Sequence, residues 1–143
     1  MELICFMNIF YRYGKQLLEG MLTDLDVNMQ ELIVMLVMHQ SPGILQSRLL
    51  HFTGLDKGNF SKFLKQLEEK NHIYRKVSRQ APGQNECYLS EEGEAMVCQL
   101  EAILQQWEQS LIHGMDSDSV TQFHTVSTQI SHNLFERLNI RWI

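Results

Sequence analysis

The sequence lacks most features that would mark an enzyme, a secreted protein or a membrane protein. Cysteine is scarce: Cys5, Cys87 and Cys98 are an odd number without metal-type spacing, which fits a reducing compartment better than a disulfide framework. Proline occurs twice, and no internal repeat or low-complexity linker breaks the chain. The longest apolar run, Leu32 to Met38, falls far short of the roughly 18 residues a membrane span requires. Glu2 stands where a signal peptide carries positive charge, Arg12 and Lys15 interrupt the apolar pattern, and no small-residue cleavage site follows. A cytoplasmic location is expected. The six histidines (His39, His51, His72, His113, His124 and His132) show no pair at the spacing that helical metal sites use. No phosphate-cradling glycine loop, nucleophile elbow or paired-carboxylate signature occurs. No catalytic residue, metal or cofactor is expected.

What is present is an ordinary globular composition with charge sorted along the chain. At 143 residues, 44% hydrophobic and 20% charged, the chain is long enough to bury a core and reads as one domain, residues 1–143. From Arg48 to Arg79 eight Lys/Arg residues face three acids, a local +5, while the whole chain is −5 and the remainder therefore −10. A basic island in an acidic protein is an electrostatic footprint for a polyanion.

Hydrophobic spacing then orders the elements. Leu3, Phe6, Phe10, Tyr13, Leu17 and Met21 recur at three- and four-residue steps, predicting an amphipathic helix over residues 2–22. Asn28 with Glu31 three residues on resembles a capping box and opens a second helix, apolar on every side, that ends at Ser41-Pro42-Gly43. Ile44 to Phe52 reads as a third helix, Thr53-Gly54-Leu55-Asp56 as a turn, and Lys57 to Asn71 as a basic helix. Ile73–Val77 and Glu86–Leu89 read as two short strands joined through Pro82-Gly83. Ser90 caps a long helix in which Val97, Leu100, Leu104, Trp107 and Leu111 form a heptad seam. A last helix begins near Ser119 and carries Val120, Phe123, Ile130, Leu134 and Leu138. This is a mainly α fold with a small β-hairpin wing, a winged helix-turn-helix over residues 28–93. The helices at 2–22 and 91–138 hold more apolar surface than a small winged unit can cover, so a homodimer built from them is expected.

A recognition helix enters the major groove with its N-terminal half toward base edges. Asp56 is a suitable N-cap; Lys57, Asn59, Ser61, Lys62 and Lys65 then offer polar groups, while Phe60, Phe63, Leu64 and Leu67 face the core. Asn59 can both donate and accept, as adenine readout requires, and lysines deliver point charges to phosphates. Gly58 costs roughly 1 kcal/mol of helix propensity but bares the backbone for a close phosphate.

Gln46-Ser47-x-Leu49, Leu55-Asp56-Lys57, Leu67-Glu68-Glu69-Lys70, Ile73-x-Arg75-Lys76 and Tyr88-Leu89-Ser90-Glu91-Glu92-Gly93 resemble the MarR family of bacterial transcription regulators. The likeness is dense from Ile44 to Gly93 and extends to the flanking helices in order and length. It implies a dimeric DNA-binding regulator, a repressor, that binds a palindromic operator in double-stranded DNA. The basic helix would lie in the major groove and the wing, with Arg75, Lys76 and Arg79, in the minor groove. It also implies release by a small molecule or by oxidation, and the Met- and Phe-rich composition suits a small apolar or aromatic effector. The Asp-Arg pair usual at the wing tip is replaced by Ala81 and Pro82, leaving Arg79 as the nearest guanidinium that could reach a narrow minor groove. Cys5-Phe6 resembles the peroxide-sensing branch, making Cys5 the redox candidate, although Met29 and Leu32 stand where that branch has tyrosines. The alternative from another class is a winged-helix protein-interaction module without DNA binding, suggested by the altered wing and the acidic balance.

Overall fold

The computed structural model describes residues 1–141. Six α-helices and a small sheet follow in the order α1 (Leu3–Met21), α2 (Met29–Gln40), β1 (Ile44–Leu45), α3 (Gln46–Leu49), a 3-10 turn (Leu50–Phe52), α4 (Lys57–Glu69), β2 (Ile73–Val77), β3 (Asn85–Leu89), α5 (Glu91–Leu111) and α6 (Ser117–Leu138). The expected capping box opens α2: Asn28 Oδ1 accepts from Glu31 N at 2.9 Å, and Glu31 Oε1 accepts from Asn28 N at 3.2 Å. Leu32, Val34, Met35, Val37 and Met38 are all buried, so the helix without a polar side is the centre of the fold, as its composition requires.

Three boundaries differ from the sequence reading by two residues, each for a physical reason. Ile44 and Leu45 do not start a helix. Gly43 adopts φ +82 and donates its N–H to Cys87 O at 3.0 Å, which lays Ile44 and Leu45 opposite Cys87 and Glu86. The expected hairpin is present, with β2 and β3 paired antiparallel from Ile73 opposite Leu89 to Val77 opposite Asn85, and β1 adds a third strand beside β3 in the order β1-β3-β2. The basic helix stops at Glu69 because Asn71 turns left-handed at φ 61 and its amide caps Glu68 O. The last helix starts at Ser117, two residues early, because Asp116 and not Ser119 supplies the cap, accepting from Ser119 N at 2.7 Å. That bond holds the Asp116 carboxyl below its usual range.

A single apolar cluster joins α1 (Leu18), α2, β1 (Ile44), α4 (Phe60, Leu64, Leu67), β3 (Cys87, Leu89) and α5 (Val97, Leu100). The α5 seam faces this cluster only along its first half: Val97 and Leu100 are fully buried, Leu104 and Trp107 half-buried, and Leu111 is exposed. Trp107 also ties α5 to α1, donating from Nε1 to Gly14 O at 2.9 Å. The α1 stripe read from spacing faces the other way. Gly14 and Leu18 are the residues of α1 that the rest of the chain buries, whereas Leu3, Phe6, Phe10, Tyr13 and Leu17 are exposed. No residue of α6 is buried, and Phe123, Ile130, Leu134 and Leu138 all face outward. Among the described residues, no helix is long and apolar enough to cross a membrane.

Candidate nucleic-acid interface

The helix α4 is anchored on one face and free on the other. Phe60, Leu64 and Leu67, spaced at four and three residues, are buried to within 1% exposure, and Phe63 stacks on Phe60 with ring centroids 5.9 Å apart. At the N-terminus, Asp56 Oδ1 accepts from Asn59 N at 2.8 Å, covering one of the amides a helix start leaves unpaired. At the far end, Lys70 Nζ donates to Glu31 Oε2 at 2.9 Å and to Asp26 O at 2.7 Å. The Glu31 side chain is only 9% exposed. A buried carboxylate that receives both a capping amide and an ammonium is costly to unpair, so Lys70 locks α4 to α2. It is not available as a free cation.

The opposite face of α4 carries the charge. Lys57, Lys62 and Lys65 are exposed, and among the described residues none has an ion-pair partner. Ser61 is half-buried at the edge of that face. Asn59 is exposed, but its Nδ2 donates to Asp56 Oδ2 at 2.8 Å. Its amide is thus held against the cap, with the carbonyl oxygen and one N–H left over. Glu69 closes the face at its C-terminal end, so the positive end is the N-terminal half.

The wing places its three basic residues in three different environments. Arg75 points inward: Nε donates to Glu68 Oε1 at 2.8 Å and Nη1 to Gln46 Oε1 at 3.3 Å. Lys76 is exposed and lies over both rings of the stacked pair Tyr74–Tyr88, 5.5 and 5.4 Å from the centroids, an arrangement that holds a cation without neutralising it. Arg79 is exposed at the tip, again with no partner among the described residues. The tip is not a loose loop. Ser78 is 5% exposed; its N–H donates to Gln84 O at 2.8 Å, and its Oγ accepts from Ala81 N at 3.1 Å and donates to Glu86 Oε1 at 3.1 Å. Ser47 Oγ on α3 donates to Gln84 Oε1 at 2.6 Å, tying the tip to the helix-turn-helix. Arg48, which sequence reading counted only as charge, lines a cleft of about 310 Å³ with Ser78, Gln80, Ala81 and Glu86 between α3 and the wing tip. Its inclusion depends on a contact between segments thirty residues apart, which no local motif announces.

The cysteines divide sharply. Burial pushes the Cys87 thiol up to about 12, the Arg75 guanidinium pulling it partly back and Glu68 opposing that pull, so it stays protonated and inert. Cys5 and Cys98 are exposed. Tyr11 and Tyr13 lie near Cys5 in sequence, but their rings are engaged by Lys15 and Arg12. Among the described residues, no hydroxyl or cation reaches the Cys5 sulfur.

No family model matches the sequence. Solved structures do match, over nearly the whole chain. A crystal structure of MarR superposes with a TM-score of 0.86 at 21% identity, covering 97% of this chain and 95% of that one. A MarR mutant from E. coli complexed with operator DNA matches at a TM-score of 0.77 and 19% identity, covering 90% of this chain and 92% of that one. The transcriptional repressor CouR, bound to a 23-mer DNA duplex, gives a TM-score of 0.79 at 16% identity over 91% and 92% of the two chains. The sheet order, the two-step helix-turn-helix and the flanking helices thus together make up the MarR winged-helix fold.

Proposed function

We propose that the protein is a DNA-binding transcription regulator of MarR type, acting as a homodimeric repressor on a palindromic operator. One observation carries the reading: the solvent face of α4 bears Lys57, Lys62 and Lys65 with no acidic partner among the described residues, while Lys70 at its C-terminal end and Arg75 on β2 are both neutralised. Charge left unpaired on one face of an otherwise acidic protein favours a polyanion. In this reading Asn59 and Ser61 face base edges, the three lysines and Arg48 grip phosphates, and Lys76 and Arg79 extend the grip through the wing. That two proteins of the same fold have solved structures bound to DNA supports the choice of ligand.

The dimer is supported by surface the single chain leaves open. Leu3, Phe6 and Phe10 on α1 and Phe123, Ile130 and Leu134 on α6 are between 38% and 62% exposed. Apolar side chains in that number on two terminal helices are unusual for a monomer. A two-fold axis through these helices would space two copies of α4 for successive major grooves. The experiment is binding of the full chain to the region upstream of its own gene across a salt series. Log affinity should fall linearly with log salt, by about 0.9 per phosphate neutralised. A flat dependence, or no binding at low salt, would favour a protein-interaction module.

A further inference from the structure

A wing can serve a groove only if its strands hold a fixed angle to the recognition helix. Here three elements meet at one guanidinium. Arg75, at the centre of β2, donates from Nε and from Nη2 to Glu68 Oε1 on α4, and from Nη1 to Gln46 Oε1 on α3. The same Gln46 oxygen is 3.5 Å from Asn85 Nδ2 on β3, so one amide carbonyl receives both strands of the wing. The Arg75 and Glu68 side chains are 18% and 32% exposed, which shields the pair from water and salt more than a surface pair. A planar fork presents its N–H groups to the two elements in fixed directions; a lysine at this place would keep the charge without that fixed geometry.

We infer that Arg75 is a positioning residue: it clamps the wing to α3 and α4, setting the angle at which wing and recognition helix meet DNA, and makes no phosphate contact itself. The inference rests on the DNA-binding reading for its purpose but not for its geometry. Its charge is cancelled by Glu68, so the pair as a whole adds nothing to the positive face. Glu68 becomes, by the same logic, an acid that assists DNA binding.

The test uses the full chain with Arg75→Lys, Arg75→Met and Glu68→Gln, measured on the upstream duplex across a salt series and by amide hydrogen exchange without DNA. All three variants should weaken binding about tenfold, the scale of one charge-assisted hydrogen bond, with the salt slope of the parent retained. Exchange should quicken in 73–77 and 85–89 but not in α2. A phosphate contact gives the opposite pattern. Arg75→Lys would then bind like the parent, Arg75→Met would lose about 0.9 from the slope, and Glu68→Gln, with one acid fewer, would bind more tightly. That pattern overturns the inference, and so does unchanged exchange in Arg75→Lys, which keeps the charge and spares the fold. If the parent binds no DNA, the regulator reading fails alone, and exchange still decides whether the clamp exists.

Discussion

Replacing Gly93 by alanine adds one methyl group at the point where α5 presses on the corner between α4 and β2. A Cβ there would lie 1.9 Å from His72 O and 3.0 Å from His72 C. Both atoms are backbone, so no rotamer relieves the clash, and the two segments must separate by about 1 Å. The bonds lost are those that define the corner: Ser90 N to His72 O at 2.9 Å, and the cap in which Ser90 Oγ accepts from Gly93 N at 3.0 Å. A lost cap costs about 1 kcal/mol and an orphaned, partly buried carbonyl about 1 to 3 kcal/mol. Alanine returns about 1 kcal/mol of helix propensity, leaving a net destabilisation of about 1 to 3 kcal/mol. For a chain of this size that is a fall in Tm of roughly 3 to 12 °C. Urea unfolding followed by circular dichroism, at one fixed protein concentration because association would raise apparent stability, measures it. Gly58→Ala is the control: its Cβ would meet nothing closer than Asp56 Oδ1 at 3.6 Å, so it should be neutral or stabilising by up to about 1 kcal/mol. A Gly93→Ala protein within about 0.5 kcal/mol of the parent, the range of an ordinary surface change, would refute the reasoning.

Leu134→Asp puts a charge on the exposed stripe of α6, a helix with no buried residue. It should yield a folded monomer at micromolar concentration in sedimentation, and an unmutated protein that is itself monomeric would contradict the dimer. Thiol labelling of the native protein at pH 8 should modify Cys5 and Cys98 and spare buried Cys87. Because the folded Cys87 pKa is raised from 9.0 to about 12, its contribution to stability is complete below pH 9 and disappears as pH climbs toward 12. A Cys87→Ala protein should show a shallower alkaline loss. Cys5→Ser and the parent should respond alike to organic hydroperoxide, since nothing among the described residues supports a Cys5 thiolate; a parent that alone loses DNA binding would make Cys5 a sensor. Arg79→Ala should weaken binding most where A/T-rich flanks narrow the minor groove, and equal loss on G/C-rich flanks would reduce Arg79 to a phosphate contact.

Local signals were legible where one segment carries its own instructions. The Asn28–Glu31 box, the Asp56 cap, the Phe60-Leu64-Leu67 stripe, the strand Ile73–Val77 and the Ser90 cap all stand where short-range spacing puts them. What spacing cannot carry is the identity of the partner. Ile44 and Leu45 became a strand because Cys87 and Glu86, more than forty residues away, offered a ladder. Arg75 reads as one of eight basic residues until Glu68 and Gln46 are seen beside it. The spacing in α1 marks an apolar stripe, but the chain itself covers Gly14 and Leu18 instead, since a period reports a greasy face and not what covers it. The tip turns at Pro82-Gly83 as its sequence indicates, with Gly83 at φ 77 and Gln84 N donating to Ala81 O at 3.1 Å; what spacing does not announce is Ser78, whose hydroxyl serves the amides of Gln80 and Ala81 and the carboxylate of Glu86.

Hydroxyl-radical footprinting of the upstream duplex tests the central reading most directly. A symmetric dimer with α4 in successive major grooves should protect two equivalent patches about 10 base pairs apart, centre to centre, and Lys62→Ala with Lys65→Ala should weaken both patches equally. A single asymmetric patch, or no protection at low salt, would contradict it.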